Sequence, residues 1–146
     1  MATFYKWKIP RYKCDAATAY KEIHSLDVIN SQNIVDLARD ENNPLHNDFE
    51  WDDAIAGEKY RCEQASKMLQ LLIVIDEKIT KKPDVEIRAF VSVPEPRAYE
   101  PIKVVIQNKD KRDYMLEQAK KELQAFQRKY AILTELEPVF EAIESL

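Results

Sequence analysis

The stretch "LLIVIDEKITKKPDVEIRAFVSV", residues 71–93, decides the fold because it places strand-like sequence in a chain that is otherwise largely helical in pattern. Its two apolar runs, 71–79 and 85–93, predict two strands. A third run, "EPIKVVIQN" at 100–108, either completes a small antiparallel sheet or begins a helix. The proline-rich segment "PEPRAYEP" before it predicts an exposed loop.

Helical periodicity precedes the strands. Polar residues that suit the N-cap position predict where three helices begin, at Asp15, at Ser31, and at Asp52 or Asp53. These helices are predicted to end near residues 26, 39 and 70. Gly57, the only glycine in the chain, falls in the first turns of the third helix. A glycine there costs about 1 kcal/mol relative to alanine, which indicates that another element packs closely against it.

A long helix from about Lys109 to Leu133 follows the strands, and Pro138 suits the first turn of a short final helix. An apolar stripe at helical spacing runs along the long helix: Met115, Ala119, Leu123, Phe126, Tyr130 and Leu133. The predicted fold class is therefore α+β, with N-terminal helices, a small antiparallel sheet, a long C-terminal helix and a short final helix.

The length of 146 residues fits a single domain, 1–146. Within it we distinguish four parts by their patterns: an aromatic and basic arm at 1–13, a helical part at 15–70, the small sheet at 71–107 and the C-terminal helices at 109–146.

Composition excludes several classes of protein. One glycine cannot build a phosphate-binding loop or a dinucleotide fingerprint. A net charge of −4 argues against a protein that coats nucleic acid through its overall charge. No apolar run is long enough to span a membrane, and the N-terminus lacks the apolar core of a secretory signal. Cys14 and Cys62 are expected to be free thiols of a reducing cytoplasm.

The sequence also lacks the arrangements of side chains that catalysis or metal binding would need. No nucleophile stands beside a base, and His46 with its acidic neighbours is not a full ligand set. His46 is expected instead to hydrogen-bond locally and cap a turn. We therefore expect a non-enzymatic protein with no cofactor and no bound metal.

The box "PLHNDFEWDD", residues 44–53, concentrates a histidine, four carboxylates and two large aromatic rings. The simplest interpretation is a structural loop. In it Phe49 and Trp51 are buried, and carboxylates such as Asp52 and Asp53 accept hydrogen bonds at a helix start. A partner-binding surface is the main alternative, and a catalytic carboxylate pair is the weakest one.

The N-terminal arm "FYKWKIPRYK", residues 4–13, alternates aromatic and basic side chains. That composition suits an edge strand whose lysines guard against further strand pairing. It equally suits a contact with nucleic acid, in which rings stack on bases and cations neutralise phosphates. The candidate DNA contacts are Lys6, Lys8, Arg11 and Lys13. With so few cations we expect DNA binding by the protein alone to be weak and non-specific.

The C-terminal helices supply the candidate protein-binding residues, since apolar and aromatic anchors dominate the energy of most protein interfaces. Some side chains of the stripe are expected to be buried in the protein's own core. A partner is then expected to contact the flank of the stripe and the final helix. The candidates are Phe126, Tyr130, Val139, Phe140 and Ile143.

The box and the residues after it carry a family resemblance. Pro44-Leu45-His46, the run Phe49–Asp53, Ala56, Tyr60-Arg61 and Gln64-Ala65 form its pattern. This pattern resembles one found in small proteins of temperate phages and prophages in Gram-positive bacteria. The likeness extends to the aromatic arm, to "IRAFVSV" and to the tail "FQRKYAILTELEPVFEAIE", and so covers most of the chain.

Within that setting the chain resembles a recombination directionality factor, a phage protein that binds a serine integrase and redirects it from integration to excision. The resemblance implies a regulatory protein in the cytoplasm of the bacterial host that acts by protein–protein contact on a DNA-transaction partner. Its own contact with DNA would be weak or indirect. The alternatives are a DNA-binding or architectural phage protein and a virion assembly component.

Overall fold

The computed structural model describes residues 3–55, 57–94 and 98–146. Its helices are α1 Ala16–His24, α2 Ser31–Ala38, α3 Glu58–Leu71, α4 Glu77–Thr80, α5 Ile102–Gln107, α6 Lys109–Tyr130 and α7 Glu137–Glu144. Its strands are β1 Phe4–Trp7, β2 Leu72–Ile75, β3 Ile87–Arg88, β4 Phe90–Val93 and β5 Ala98–Pro101. The predicted α+β class is confirmed.

The chain groups into two compact units, Met1–Val105 and Ile106–Leu146, called here the N-terminal and the C-terminal unit. The N-terminal unit holds all the described strands and helices α1 to α4. The C-terminal unit holds α6 and α7. That the whole chain behaves as one domain stays a prediction.

The strands form two small antiparallel sheets, β1-β2-β3 and β4-β5. The predicted strand at 71–79 ends at Ile75, because the side chain of Asp76 accepts the backbone N–H of Lys78 and begins α4. The predicted strand at 85–93 is divided at Ala89. Its N–H donates to the carbonyl of Leu72 at 2.9 Å, and its carbonyl accepts the N–H of Ile102 at 2.9 Å. The chain therefore changes sheets at this residue.

The loop predicted at 94–101 is partly a strand, and the third apolar run at 100–108 is strand in its first two residues and helix after them. Residues 98–101, predicted as loop, form β5 and pair with β4 from Phe90↔Pro101 to Val93↔Ala98. The apolar residues that follow form α5, which was the second of the two alternatives. Pro94 lies in a turn, and the remaining residues of the predicted loop, 95–97, lie outside the described part of the chain.

The arm forms the edge strand of its sheet. β1 pairs with β2 in the register Phe4↔Ile75 to Trp7↔Leu72. Tyr5 turns inward and stacks on the ring of Tyr20 at a centroid distance of 4.1 Å. The Trp7 indole N–H donates to the carbonyl of Cys14 at 2.8 Å. Tyr5 and Trp7 are thus half-buried anchors of the edge strand, whereas Phe4 is exposed.

The predicted helix starts were right at one position and wrong at two. Asp15 caps α1 as expected and accepts the N–H of Thr18 at 3.0 Å. The cap of α2 is Asn30, one residue before Ser31, and it accepts the N–H of Asn33 at 2.7 Å. Helix α3 begins at Glu58 instead of Asp52 or Asp53.

Gly57 is the N-cap residue of α3 and has extended backbone angles. The expectation of close packing at Gly57 was wrong, since a Cβ atom added there meets nothing within 4 Å. The start of α3 is delayed because Asp52 accepts the N–H of Ala54 at 2.9 Å and so forms a turn of its own.

The core of the N-terminal unit lies where α1, α2 and α3 pack with the strands. Its largest fully buried side chains are Ile23, Ile34, Val35, Leu45, Met68, Leu69, Leu72, Phe90 and Val93. Phe90 stacks on Tyr20 at a centroid distance of 5.0 Å. Because Tyr20 also stacks on Tyr5, three rings link β1, α1 and β4.

In the C-terminal unit Asn108 caps α6, accepting the N–H of Lys111 at 3.0 Å. Helix α6 ends at Tyr130, three residues before the predicted end, and none of its residues is buried. Helix α7 packs beside it through the ring of Phe140, whose centroid lies 6.4 Å from that of Phe126. Gln127 also donates to the carboxylate of Glu144 at 2.8 Å. Among the described residues, no helix has both the length and the apolar character needed to cross a membrane.

The two free cysteines are predicted to differ in reactivity. Cys14 is buried and Cys62 is partly exposed. Burial raises the pKa of the Cys14 thiol to about 11, and nearby Asp15 and Asp48 contribute. Because the thiolate is the reactive form, we expect iodoacetamide to alkylate Cys62 at least about tenfold faster than Cys14 in the native protein. Peptide mass mapping over time measures both rates, and denatured protein is the control. Equal native rates would contradict the prediction.

Candidate interaction surfaces

The box folds around the indole of Trp51. Its N–H donates to the carbonyl of His46 at 2.7 Å. The His46 ring stacks on the indole at a centroid distance of 4.9 Å with an interplanar angle of 6°. Nδ1 of His46 lies 2.7 Å from the carbonyl oxygen of Ala38, at the end of α2. Phe49 is buried, as expected, whereas Trp51 is only half-buried.

A buried arginine organises the carboxylates. The guanidinium of Arg61 donates to Asp53 at 2.7 Å, to the carbonyl of Glu50 at 3.0 Å and to Glu58 at 3.1 Å. It also lies over the Trp51 ring, 5.1 Å from the centroid. The hydrogen bond with Asp53 is the largest cause that raises the pKa of Arg61. The guanidinium therefore stays charged and holds the loop against α3.

A second arginine extends this cluster toward α2. Arg39 lies 5.6 Å from the Trp51 centroid and is paired with Glu58. Gln32 donates to the same carboxylate at 2.8 Å. Hydrogen bonds from Gln32, Arg61 and Arg39 lower the pKa of Glu58, with that of Gln32 the largest cause. Sequence reasoning missed all of these partners.

Asp48 connects the box to the arm. Its carboxylate accepts the backbone N–H of Lys13 at 2.7 Å and that of Cys14 at 3.0 Å. The acids of the box are therefore engaged with backbone N–H groups and with arginines, which is the arrangement of a structural loop. In the described part of the chain, no cluster of three or more His, Cys, Asp or Glu side chains is arranged to hold a metal ion.

The candidate DNA contacts lie along the arm but in different surroundings. Lys6, on β1, is ion-paired with Glu86. Lys8 and Arg11 are exposed. Lys13 lines a shallow depression together with Asp48 and Glu50, so its charge is placed near two acids. The exposed cations most available to phosphate are thus Lys8 and Arg11.

The candidate protein contacts of the C-terminal unit divide into exposed and buried residues. Val139 is 45% exposed, Phe126 is 39% exposed and Tyr130 is half-buried. Phe140 is only 3% exposed, and Ile143 is also buried. The expectation that Phe140 and Ile143 form the partner surface therefore needs correction. Their burial in the structure makes them anchors of the fold, because α7 turns these side chains inward.

The α6 stripe, defined as Met115, Leu116, Ala119, Leu123 and Phe126, is partly exposed: Met115, Leu123 and Phe126 are 37%, 38% and 39% exposed. Leu116 is 52% exposed, and sequence reasoning missed it. A shallow apolar notch of about 250 Å³ lies at the start of the stripe, lined by Ile106, Arg112, Met115, Leu116 and Ala119. Part of the stripe was expected to be consumed by a core. No residue of α6 is fully buried, but Phe126 contacts the buried ring of Phe140, so α7 partly covers the C-terminal end of the stripe.

No protein-family model, no curated protein and no solved structure matches this chain.

Proposed function

We propose that this protein is a non-catalytic regulator that binds another protein through the α6 stripe. The observation that carries the proposal is a helix of 22 residues with no buried residue and with its large apolar side chains aligned on one side. Contiguous exposed apolar surface is unusual on a monomeric protein and marks interaction sites. Val139, exposed on α7, adds to the apolar surface of this unit.

The partner class in this proposal is a DNA-transaction enzyme of a temperate phage, and in its most specific form a serine integrase that the protein switches to excision. Its support is the resemblance of the box and tail to phage proteins. A directionality factor needs an apolar face for the recombinase and, when it acts beside DNA, a few accessible cations. The α6 stripe supplies the first, and exposed Lys8 and Arg11 supply the second.

The experiment is co-precipitation with a candidate serine integrase, combined with an assay of integration and excision. We expect Leu123→Glu to abolish both integrase binding and the stimulation of excision, because a charge on the stripe must be desolvated on binding. Ala125→Glu is the matched control, since Ala125 is exposed on the opposite side of the same helix. Equal loss with Ala125→Glu would show that the stripe is not the contact.

The arm is tested separately. Deleting the arm would remove β1 and its pairing with β2, so the substitutions Lys8→Ala and Arg11→Ala together are the appropriate change. We expect this variant to keep integrase binding and to lose part of the excision activity. Tight, salt-sensitive binding of DNA by the protein alone would favour the architectural alternative. Self-assembly without DNA or recombinase would favour the virion component.

A further inference from the structure

We infer that the outer edge of β1 binds an extended segment of a partner protein, which joins the sheet as a further antiparallel strand. The segment carries a carboxylate beside Lys8 and an apolar side chain beside Phe4. This inference goes beyond the proposed function, since it concerns a surface of the N-terminal unit and does not need the α6 stripe. The hydrogen bonds of β1 and the side chains along its edge carry it.

The outer edge consists of the backbone groups that β1 does not use for pairing with β2. In an antiparallel pair, residues that exchange hydrogen bonds with the neighbouring strand alternate with residues whose N–H and carbonyl groups point the other way. The N–H of Lys8 donates to the carbonyl of Leu71 at 2.8 Å. Two steps back in the same register, Lys6 also turns its backbone groups towards β2. The backbone groups of Tyr5 and Trp7 therefore point away from the sheet.

The bonds on the other side of β2 agree with this direction. The N–H of Ala89 donates to the carbonyl of Leu72 at 2.9 Å, so Leu72, which lies opposite Trp7, turns its backbone groups towards β3. Because β1 stands first in the order β1-β2-β3, no described strand lies beyond it. In the described part of the chain, no hydrogen bond outside the pairing with β2 reaches the backbone of Tyr5 or Trp7.

These backbone groups specify an extended ligand. Two N–H and two carbonyl groups face outward at the spacing of alternate strand residues, and an extended backbone presents complementary groups at the same spacing. A helical segment cannot replace it, because the backbone groups of a helix are bonded to one another. The sheet that contains β1 is antiparallel throughout, and an antiparallel addition continues it with the slightly more stable pairing.

The side chains on one face of β1 specify what the segment carries. Phe4, Lys6 and Lys8 share this face, because alternate strand residues do. Phe4 is 61% exposed, so an apolar neighbour on the added strand covers it. Lys6 is paired with Glu86, whereas Lys8 is exposed and no described carboxylate forms an ion pair with it. A carboxylate opposite Lys8 supplies that partner.

The order of these two side chains follows from the direction of the strands. Lys8 follows Phe4 by four positions, so on an antiparallel segment the acid precedes the apolar residue by four. The acids that contact the arm are held at other positions: Asp76 on the hydroxyl of Thr3, and Asp48 on the N–H groups of Lys13 and Cys14. The edge of a second copy does not fit this rule, because residues 3–9 contain no acid.

The probe is a synthetic peptide of about nine residues. Glutamate precedes isoleucine in it by four positions, and threonine, which favours strands, fills the others. Its control has glutamate and isoleucine exchanged, so that composition and charge are identical. We expect the full-length protein to bind the probe at least about threefold more tightly than the control, because the exchange removes two favourable cross-strand pairs.

Amide hydrogen exchange, followed by NMR, tests the position of the added strand. In the free protein the amides of Tyr5 and Trp7 are expected to exchange rapidly, whereas those of Lys6 and Lys8, which face β2, are protected. Saturation with the probe is expected to slow exchange at Tyr5 and Trp7 at least about tenfold. The amides of Lys6 and Lys8 are the internal control and keep their rates.

Methylation of the probe's backbone separates an added strand from a contact made by side chains alone. Of the residues between glutamate and isoleucine, the first and the third lie opposite Trp7 and Tyr5 and turn their N–H groups towards β1. N-methylation of those two is expected to abolish binding. N-methylation of the residue between them is expected to leave binding unchanged, because its N–H points away from the protein.

A charge exchange in the protein tests the carboxylate. Lys8→Glu is expected to reverse the preference, so that a probe with lysine in place of glutamate binds more tightly than the original. This is a gain of binding, which an unfolded variant cannot produce. Lys59→Glu is the matched control, because Lys59 is exposed on α3, and it is expected to keep the original preference.

Several outcomes would overturn the inference. Protection of Tyr5 and Trp7 in the free protein would show that the edge is already covered, and sedimentation would then show whether a second copy covers it. Equal binding of probe and control would remove the side-chain rule, and binding that ignores N-methylation would remove the strand. Protection of these amides by a DNA oligonucleotide but not by the probe would assign the edge to nucleic acid. The proposed function is tested by Leu123→Glu and stands or fails separately.

Discussion

Replacing Trp51 by alanine is expected to lower the free energy of unfolding by about 3 kcal/mol. The change removes the indole on which His46, Arg39 and Arg61 are arranged. It also leaves the carbonyl of His46 without its indole N–H donor. Because Trp51 is half-buried, the expected loss lies at the lower end of the range for large side chains. Urea unfolding, followed by circular dichroism, measures it.

Trp51→Phe is the matched control. Phenylalanine keeps an aromatic ring between His46 and the arginines but lacks the N–H group, so the expected loss is about 1 kcal/mol. If Trp51→Ala unfolds at the same urea concentration as the parent protein and yet loses partner binding, the structural role of the box is refuted. The box is then a binding surface.

Phe90→Ala is expected to have the largest effect on stability, a loss of about 4 kcal/mol. Phe90 is fully buried at the point where the chain enters the second sheet, and its ring stacks on Tyr20. Truncation opens a cavity between α1 and β4, where the ring now packs. The same urea titration gives the value.

Phe4→Ala provides the comparison within the same unit. Phe4 is 61% exposed on the edge strand, and its truncation is expected to change the stability by no more than about 0.5 kcal/mol. A loss at Phe4 that equals the loss at Phe90 would show that the edge strand contributes more to the core than its exposure indicates.

The elements that the sequence predicted correctly depend on local signals. Asp15 caps α1 through a hydrogen bond with Thr18, only three residues away. The long helix and the α+β class follow from side-chain periodicity within single elements. By contrast, the change of sheet at Ala89 depends on hydrogen bonds with Leu72 and Ile102. No local pattern distinguishes an uninterrupted strand from one that is shared between two sheets.

The surfaces were predictable only in part. Burial of Phe49 follows from its alternation with acids. The half-exposed position of Trp51 depends instead on Arg39, which follows the end of α2, and on Arg61 of α3. Asp53 was a good candidate to begin α3. Its carboxylate instead pairs with Arg61, a partner that only the folded chain brings near. Likewise, which side of α7 turns inward is decided by its packing beside α6.

The pairing of β1 with β2 has a consequence for synthesis. The hydroxyl of Thr3 donates to Asp76 at 3.1 Å across 73 positions of sequence, and β1 has no strand partner until residues 72–75 leave the ribosome. Pairing between such distant segments is slow compared with helix formation. The nascent arm therefore emerges with Phe4, Tyr5 and Trp7 uncovered. Lysines at positions 6 and 8 interrupt that aromatic run, and charges so placed keep an exposed strand from aggregating before its partner arrives.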